Sequence, residues 1–387
     1  MSVTQRPRPG YQALGIHAGS FFIYPKLTAD VAHEDNIFYE NTNEKSDTIY
    51  SLRPSVELQS NWSRHMVHAF AQADIYKFDK YSDQDNTTWE VGASSRIDVV
   101  RGAYIRLSGG YQDLVEARYS PTVQQYSSNP LEYKRTYGTI GGSREVNRLR
   151  MSGELTYSDY NYNDTSVGLT QIDLGYRDRQ TTDVNMRVDY AVSPALAVYV
   201  YGAYNKRDYA HTTLINDVDR TSDGWEGAVG ADFEVTDLTR GQLQVGYLSE
   251  KYDDPRVNDV TGLALRGRLE WFPTQLTTVT FTAERSIEDT GVLGAAGTLT
   301  SKASAQIDHE LLRNLILTGR LNWQRDEYRG LDRDDDYSAA MLGVNYLLNR
   351  KVGVFAQYNY QTRDSSGLQR GVEYNANRIQ VGVVLQY

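Results

Sequence analysis

Apolar and polar residues alternate along almost the whole chain. In LALRGRLEW (263–271), Leu263, Leu265, Gly267, Leu269 and Trp271 oppose Ala264, Arg266, Arg268 and Glu270. LILTGRLNW (315–323) repeats the pattern, with Leu321 and Trp323 against Arg320 and Asn322. In LRMSGELTY (149–157), Leu149, Met151, Leu155 and Tyr157 oppose Arg150, Ser152, Glu154 and Thr156. A period of two puts one set on each face of a β-strand. The same reading predicts about eighteen strands, from 21–33 through 147–162, 178–192 and 259–272 to 373–387. No stretch has the 3.6-residue period of an amphipathic helix.

The connections fall into two kinds that alternate. Short ones lie around 61–63, 100–101, 145–146, 193–195, 237–239, 273–274, 311–312 and 349–350. Between them run longer polar loops such as 117–131, 163–178, 209–220 and 329–336. This is an up-and-down meander with tight turns at one end and long loops at the other. A soluble sandwich uses strands of about 5–6 residues. The strands here are more than twice that, above the roughly 9–11 residues needed to cross a bilayer. The expected fold is therefore all-β: a transmembrane up-and-down antiparallel barrel with short periplasmic turns, long extracellular loops and its apolar set facing lipid. Residues 1–20 are expected to form a periplasmic N-terminal segment and 21–387 a single barrel in a bacterial outer membrane.

The last ten residues, RIQVGVVLQY, carry Ile379, Val381, Val383, Leu385 and Tyr387 on one face. An open sheet edge in lipid leaves backbone groups unsatisfied at several kcal/mol each. This strand is therefore expected to close the barrel on 21–33, with Tyr387 in the periplasmic aromatic girdle.

Composition sharpens the picture. Mean hydropathy is only −0.57, yet there are 30 Tyr and 31 Gly against 9 Phe. Tyrosine suits a membrane–water boundary, where an apolar ring carries a polar tip. The chain has no Cys, which excludes thiol catalysis and Cys-ligated metal. A net charge of −10 argues against a nucleic-acid partner. The opening MSVTQRPRPGYQ has no apolar core of a signal peptide. The expectation is that the numbering starts on a mature form with an added Met.

An eighteen-stranded barrel is wide enough for an aqueous channel unless loops plug it. The polar set expected to line it includes Arg53, Glu57, Asp74, Arg96, Arg106, Arg150, Glu154, Arg187, Asp189, Arg266, Arg268, Glu270 and Arg320. Mixed signs argue against a filter of one charge. They fit either mutually neutralising cross-strand pairs or a hydrated wall for a polar solute. Loops 117–131 and 163–178 are long enough to fold back as lids.

Other candidate chemistry is thin. His211 has Asp208 and Asp217 near it in sequence, an acid–base pair on paper, but a solvated loop is the simpler reading. His65 and His68 beside Trp62 read as interface anchors. Asp332, Asp334 and Asp336 have calcium-loop spacing without the Gly and Glu that an EF-hand needs. No phosphate-binding glycine loop is present. No enzyme, cofactor or metal is expected.

One resemblance adds to this. Leu14-Gly15-Ile16, Gly19-Ser20-Phe21, Asp35-Asn36-Ile37, Ser46-Asp47, Pro54, Asn61-Trp62-Ser63-Arg64-His65 and the stretch 101–118 resemble the outer-membrane barrels of bacterial exopolysaccharide export loci, the putative beta-barrel porin type 2 family. The resemblance implies a conduit carrying a secreted polysaccharide to the cell surface. Its implied partners are that polysaccharide and a periplasmic polysaccharide-export protein. The terminal aromatic strand also resembles the signal read by the barrel-assembly machinery, and lipids and lipopolysaccharide would surround the wall. The alternative is a diffusion porin, general or substrate-specific, for small polar solutes.

Overall fold

Each stretch of alternation becomes a stave. The structure, a computed structural model, describes residues 1–120, 129–167, 170–210 and 218–387. Eighteen long strands close into one antiparallel barrel. They are β1 (Phe21–Glu34), β2 (Asp47–Ser60), β3 (Met66–Phe78), β4 (Asn86–Val100), β5 (Ala103–Glu116) and β6 (Leu131–Val146). Then come β7 (Leu149–Tyr162), β8 (Arg179–Ser193), β9 (Leu196–Tyr209), β10 (Ser222–Thr236), β11 (Thr239–Tyr252) and β12 (Val260–Thr274). The last six are β13 (Thr277–Glu288), β14 (Gly297–Leu312), β15 (Leu315–Arg329), β16 (Asp334–Leu347), β17 (Val352–Ser366) and β18 (Tyr374–Gln386). No α-helix occurs among the described residues.

Every strand pairs with its sequence neighbours, and β1 pairs with β18 from Lys26↔Gln386 to Glu34↔Arg378. The closing contact continues past the ladder: Tyr387 N–H donates to the Pro25 carbonyl, and Lys351 sits over the Tyr387 ring at 4.5 Å. The terminal strand thus leaves no free edge, as the lipid solvent demands.

The two faces differ as the alternation requires. Met186, Ile379, Leu321 and Val229 are 63, 59, 62 and 57% exposed on the outside. In water such a belt would be a liability; in a bilayer it is the solvated surface. The inner face carries Arg, Asp, Glu, Gln and Tyr. The periplasmic turns are tight, and Gly102 (φ +74°) takes the left-handed conformation that one of them requires.

The N-terminal segment is not a free tail. Ile16–Ala18 pairs back on β1, and Gly15 N–H donates to the Tyr387 carbonyl. Upstream residues run along the inside of the short-turn end. Gln386 donates to the Tyr11 carbonyl, Arg350 to Pro9 and Arg313 to Pro7. Arg8 and Arg6 meet Glu310 of β14 at 2.9 and 3.1 Å. Val3 is fully buried, and its N–H donates to Thr278 Oγ1 at 2.9 Å.

Candidate functional site: the lumen and its inward hairpin

Alternation fixes which side chains meet inside the barrel, because residues paired across strands share a face. Arg150, Arg187 and Asp189 form one group on β7 and β8: Asp189 accepts from Arg150 at 3.2 Å and from Arg187 at 2.5 Å. Arg187 also reaches Asp232 of β10 at 2.5 Å and lies 3.5 Å from the centre of the Tyr199 ring. Farther round, Glu270 accepts from Arg268 at 2.7 Å and from Arg240 at 2.5 Å, while Arg266 pairs with Glu284 at 3.3 Å. Arg53 pairs with Asp30, and Arg96 with Asp98 at 2.9 Å. Glu57 meets His68 at 3.5 Å.

Arg320 donates to Gln306 Oε1 (2.8 Å), and Arg106 lies over the Tyr104 ring at 5.9 Å. Among the described residues, Asp74 and Glu154 have no cationic partner within ion-pair reach. The lumen wall therefore mixes neutralised pairs with charges left open to water.

The most consequential feature was not anticipated. The β12–β13 ladder stops at Leu265↔Arg285, whereas β13 and β14 stay paired up to Glu288↔Thr298. Beyond Arg285 the hairpin parts from β12 and leans into the barrel, while β14 stays laddered to β15 up to Gly297↔Arg329. Ile287 and Leu299, which by parity would face outward, pack instead on Leu248 and Ala264 of the inner face of β11 and β12. Ile287 also touches the cluster of Val218, Tyr252, Val257, Val260 and Ala296.

Ion pairs fasten the tip. Asp289 meets Arg179 of β8 and Arg207 of β9, both at 3.1 Å. Along the wall, β8 and β13 are five strand spacings apart, roughly 24 Å at about 4.8 Å each, so this contact crosses the lumen. Burial alone would raise the Asp289 carboxyl, but Arg207 and Arg179 outweigh it and hold the group below its ordinary value. Arg207 also meets Glu250 at 3.4 Å. Three backbone carbonyls of the tip are held as well: Tyr176 Oη donates to Gly291, and Arg220 donates to Ala295 and Val292. Beside them Arg177 forks onto Glu116 at 2.6 and 3.0 Å, with Tyr162 Oη donating to the same carboxylate.

Of the two loops expected to act as lids, 163–178 contributes Tyr176 and Arg177 to this barrier, but the element that crosses is 289–296. Residues 121–128 of loop 117–131, residues 168–169 and residues 211–217 lie outside the described residues, and His211 and Asp217 with them. Asp332, Asp334 and Asp336 are not gathered. Asp334 and Asp336 both face Arg325 on the outer side, while Asp332 accepts the Leu368 N–H.

The family model for Putative beta-barrel porin 2 matches residues 8–387, and the chain belongs to that family. No curated protein matches the sequence. Among solved structures, Acinetobacter baumannii OccAB3 aligns with a TM-score of 0.52 at 12% identity, covering 96% of this chain and all of that one. Pseudomonas aeruginosa OccK2 (OpdF) aligns at 0.50 and 10% identity over 94% of this chain and 98% of that one. A BenF-like porin from Pseudomonas fluorescens Pf-5 aligns at 0.48 and 11%, covering 94% and 99%. The protein is thus a porin-type barrel of the bacterial outer membrane, with membrane lipid as the solvent of its outer face.

The expected polysaccharide conduit is corrected by these findings. The family is described as a porin, and nothing in that description speaks for a polymer conduit. Geometry gives the physical reason: a hairpin clamped by two arginines occupies lumen that a hydrated polymer would need. The polysaccharide and the export protein entered only with the conduit, and the family description does not extend to them or to an export locus.

Proposed function

We propose that the protein is a diffusion porin for small polar solutes, and that its pore-lining residues are the inward-facing set around Arg53, Asp74, Arg106, Glu154, Arg266 and Arg320. The observation that carries this reading is the charged inner wall narrowed by the hairpin tip at Asp289. A water-filled, hydrogen-bonding wall lowers the cost of passing a polar solute across the membrane, and a fixed constriction limits its size. The hairpin stands over β8–β13, and on the other side Tyr39 of the loop after β1 packs against Tyr374 of β18 and Tyr119 beyond β5, at 5.0 and 5.5 Å, so solutes pass between these two inward elements. Below them, Arg320 and Glu154, exposed in the lumen, are side chains that meet the solutes. Lipopolysaccharide would contact the outer rim, and the barrel-assembly machinery would read the terminal strand ending in Leu385 and Tyr387. Conductance in planar bilayers tests the reading. Stable open channels support it, and an electrically silent but folded barrel refutes it.

A further inference from the structure

The charges of this barrel are sorted along its axis. At the short-turn end, Arg64, Arg101, Arg148, Arg313, Arg350 and Lys351 occupy or flank the turns, opposed by Glu145, Glu234 and Asp237. The inward N-terminal segment adds Arg6 and Arg8, which more than neutralise Glu310. Among the described residues, Arg64, Arg101, Arg148, Arg350 and Lys351 have no carboxylate in ion-pair reach; Arg64 and Arg350 donate to the carbonyls of Asp98 and Pro9.

The long-loop end has the opposite balance. The loop after β11 carries Asp253, Asp254 and Asp259 against Arg256, which is already held by Asp254 at 2.5 Å. The loop after β7 carries Asp164, Asp173 and Asp178 against Arg177, which is taken by Glu116. Within the lumen near this end, and among the described residues, Asp74, Glu90 and Glu226 have no basic side chain within ion-pair reach; Glu90 accepts from Gln72 and Glu226 from Gln244. The arginines of the hairpin clamp are already engaged by Asp289 and Glu250.

From this we infer that the pore is axially polarised: an acidic extracellular mouth that gathers small cations, and a basic periplasmic mouth that gathers anions. The inference rests on the diffusion-porin reading and names the solutes it favours at entry, which are cationic ones. A mouth potential of about one kT enriches cations and depletes anions by about e-fold each, roughly sevenfold in their ratio. Two oppositely charged halves in series also conduct unequally in the two directions. When the extracellular side is positive, cations enter through the acidic mouth and anions through the basic mouth, and both accumulate in the pore. Reversing the voltage empties it. The effect scales with the Debye length, about 10 Å at 0.1 M salt and about 3 Å at 1 M.

The test is single-channel recording in KCl, with orientation fixed by a biotinylated Asn258→Cys captured by streptavidin in one chamber. At 0.1 M KCl the current should be larger with the extracellular side positive, and at 1 M it should be close to ohmic. The triple variant Arg64→Gln, Arg101→Gln, Arg148→Gln should lose most of the asymmetry while still folding as a heat-modifiable barrel. Ohmic current at 0.1 M, or asymmetry of the opposite sign, overturns the inference and leaves the porin standing. Absence of any conductance overturns the porin, and the inference with it.

Discussion

Replacing Asp289 by Asn removes the charge that ties the hairpin across the lumen while keeping its size. Arg207 retains Glu250 at 3.4 Å, but Arg179 loses its one carboxylate within ion-pair reach among the described residues and keeps hydrogen bonds to Tyr162 Oη and the Arg177 carbonyl (3.4 and 3.3 Å) and the Tyr160 ring at 4.1 Å. Hydrogen bonds to charged groups contribute about 1.5–3 kcal/mol each, and removing one partner of a desolvated pair costs about 3–5 kcal/mol. The Asp289 side chain is 23% exposed, so the low end applies, about 3 kcal/mol. That is roughly a hundredfold in the ratio of released to clamped hairpin. The bonds from Tyr176 and Arg220 to the tip and from Arg207 to the Ile287 carbonyl remain, so release should be intermittent. Single-channel traces of Asp289→Asn should show frequent excursions to a higher conductance that the parent lacks.

Acid should act likewise, with a displaced midpoint. Because the arginines hold the Asp289 carboxyl below its ordinary value, its contribution is complete above the ordinary carboxylate range. It is lost only as the pH falls through the lowered folded value. The parent channel should therefore keep its clamped conductance at pH 5 and change only in stronger acid. Indistinguishable traces for Asp289→Asn and parent at neutral pH would refute the clamp.

Further outcomes follow from the wall. Leu321 is the seventh of fifteen residues of β15 and faces lipid; Leu321→Arg should lower stability by about 2–4 kcal/mol and reduce assembled barrel in membranes. Arg320→Leu, facing the lumen, should assemble normally, and the reverse outcome would place the register one residue off. A side chain at Gly230 would overlap the Tyr199 ring and the Leu243 carbonyl. Gly230→Val should accordingly lower stability by about 1–3 kcal/mol, seen as a lower urea midpoint, against an unchanged midpoint if the ring simply moves. On intact cells an impermeant thiol reagent should label Asn258→Cys and spare Thr274→Cys; equal labelling would contradict the orientation.

The wall was legible in the sequence because a period of two leaves little freedom. Once Leu265 and Leu321 face lipid, Arg266 and Arg320 must face inward, and the cross-strand neighbours follow. Closure by Ile379–Tyr387 on β1 was legible for the same reason. The hairpin was not, since Ile287 and Leu299 keep the outward parity of lipid-facing residues. A signal did exist on the partner strands. Leu248, Val260 and Ala264 are apolar at inward positions, which a merely hydrated lumen does not call for, and something apolar had to cover them. Small residues at Gly291, Gly294, Ala295 and Ala296 permitted the tight return. The partners of Asp289 lie about 80 and 110 positions away in sequence, beyond any local pattern. The conduit expectation came from a resemblance tied to gene context, which is not a property of the lumen.

Size-graded uptake addresses the porin claim most directly. Purified protein in liposomes is challenged with isosmotic neutral solutes of increasing size, from a pentose through a disaccharide to an oligosaccharide, and swelling is followed by light scattering. Diffusion through a lumen narrowed at Asp289 predicts rapid swelling with the pentose, slower swelling with the disaccharide and none with the oligosaccharide. Asp289→Asn should move that cut-off upward. A folded barrel that admits none of these solutes, or admits all of them at one rate, would contradict the account.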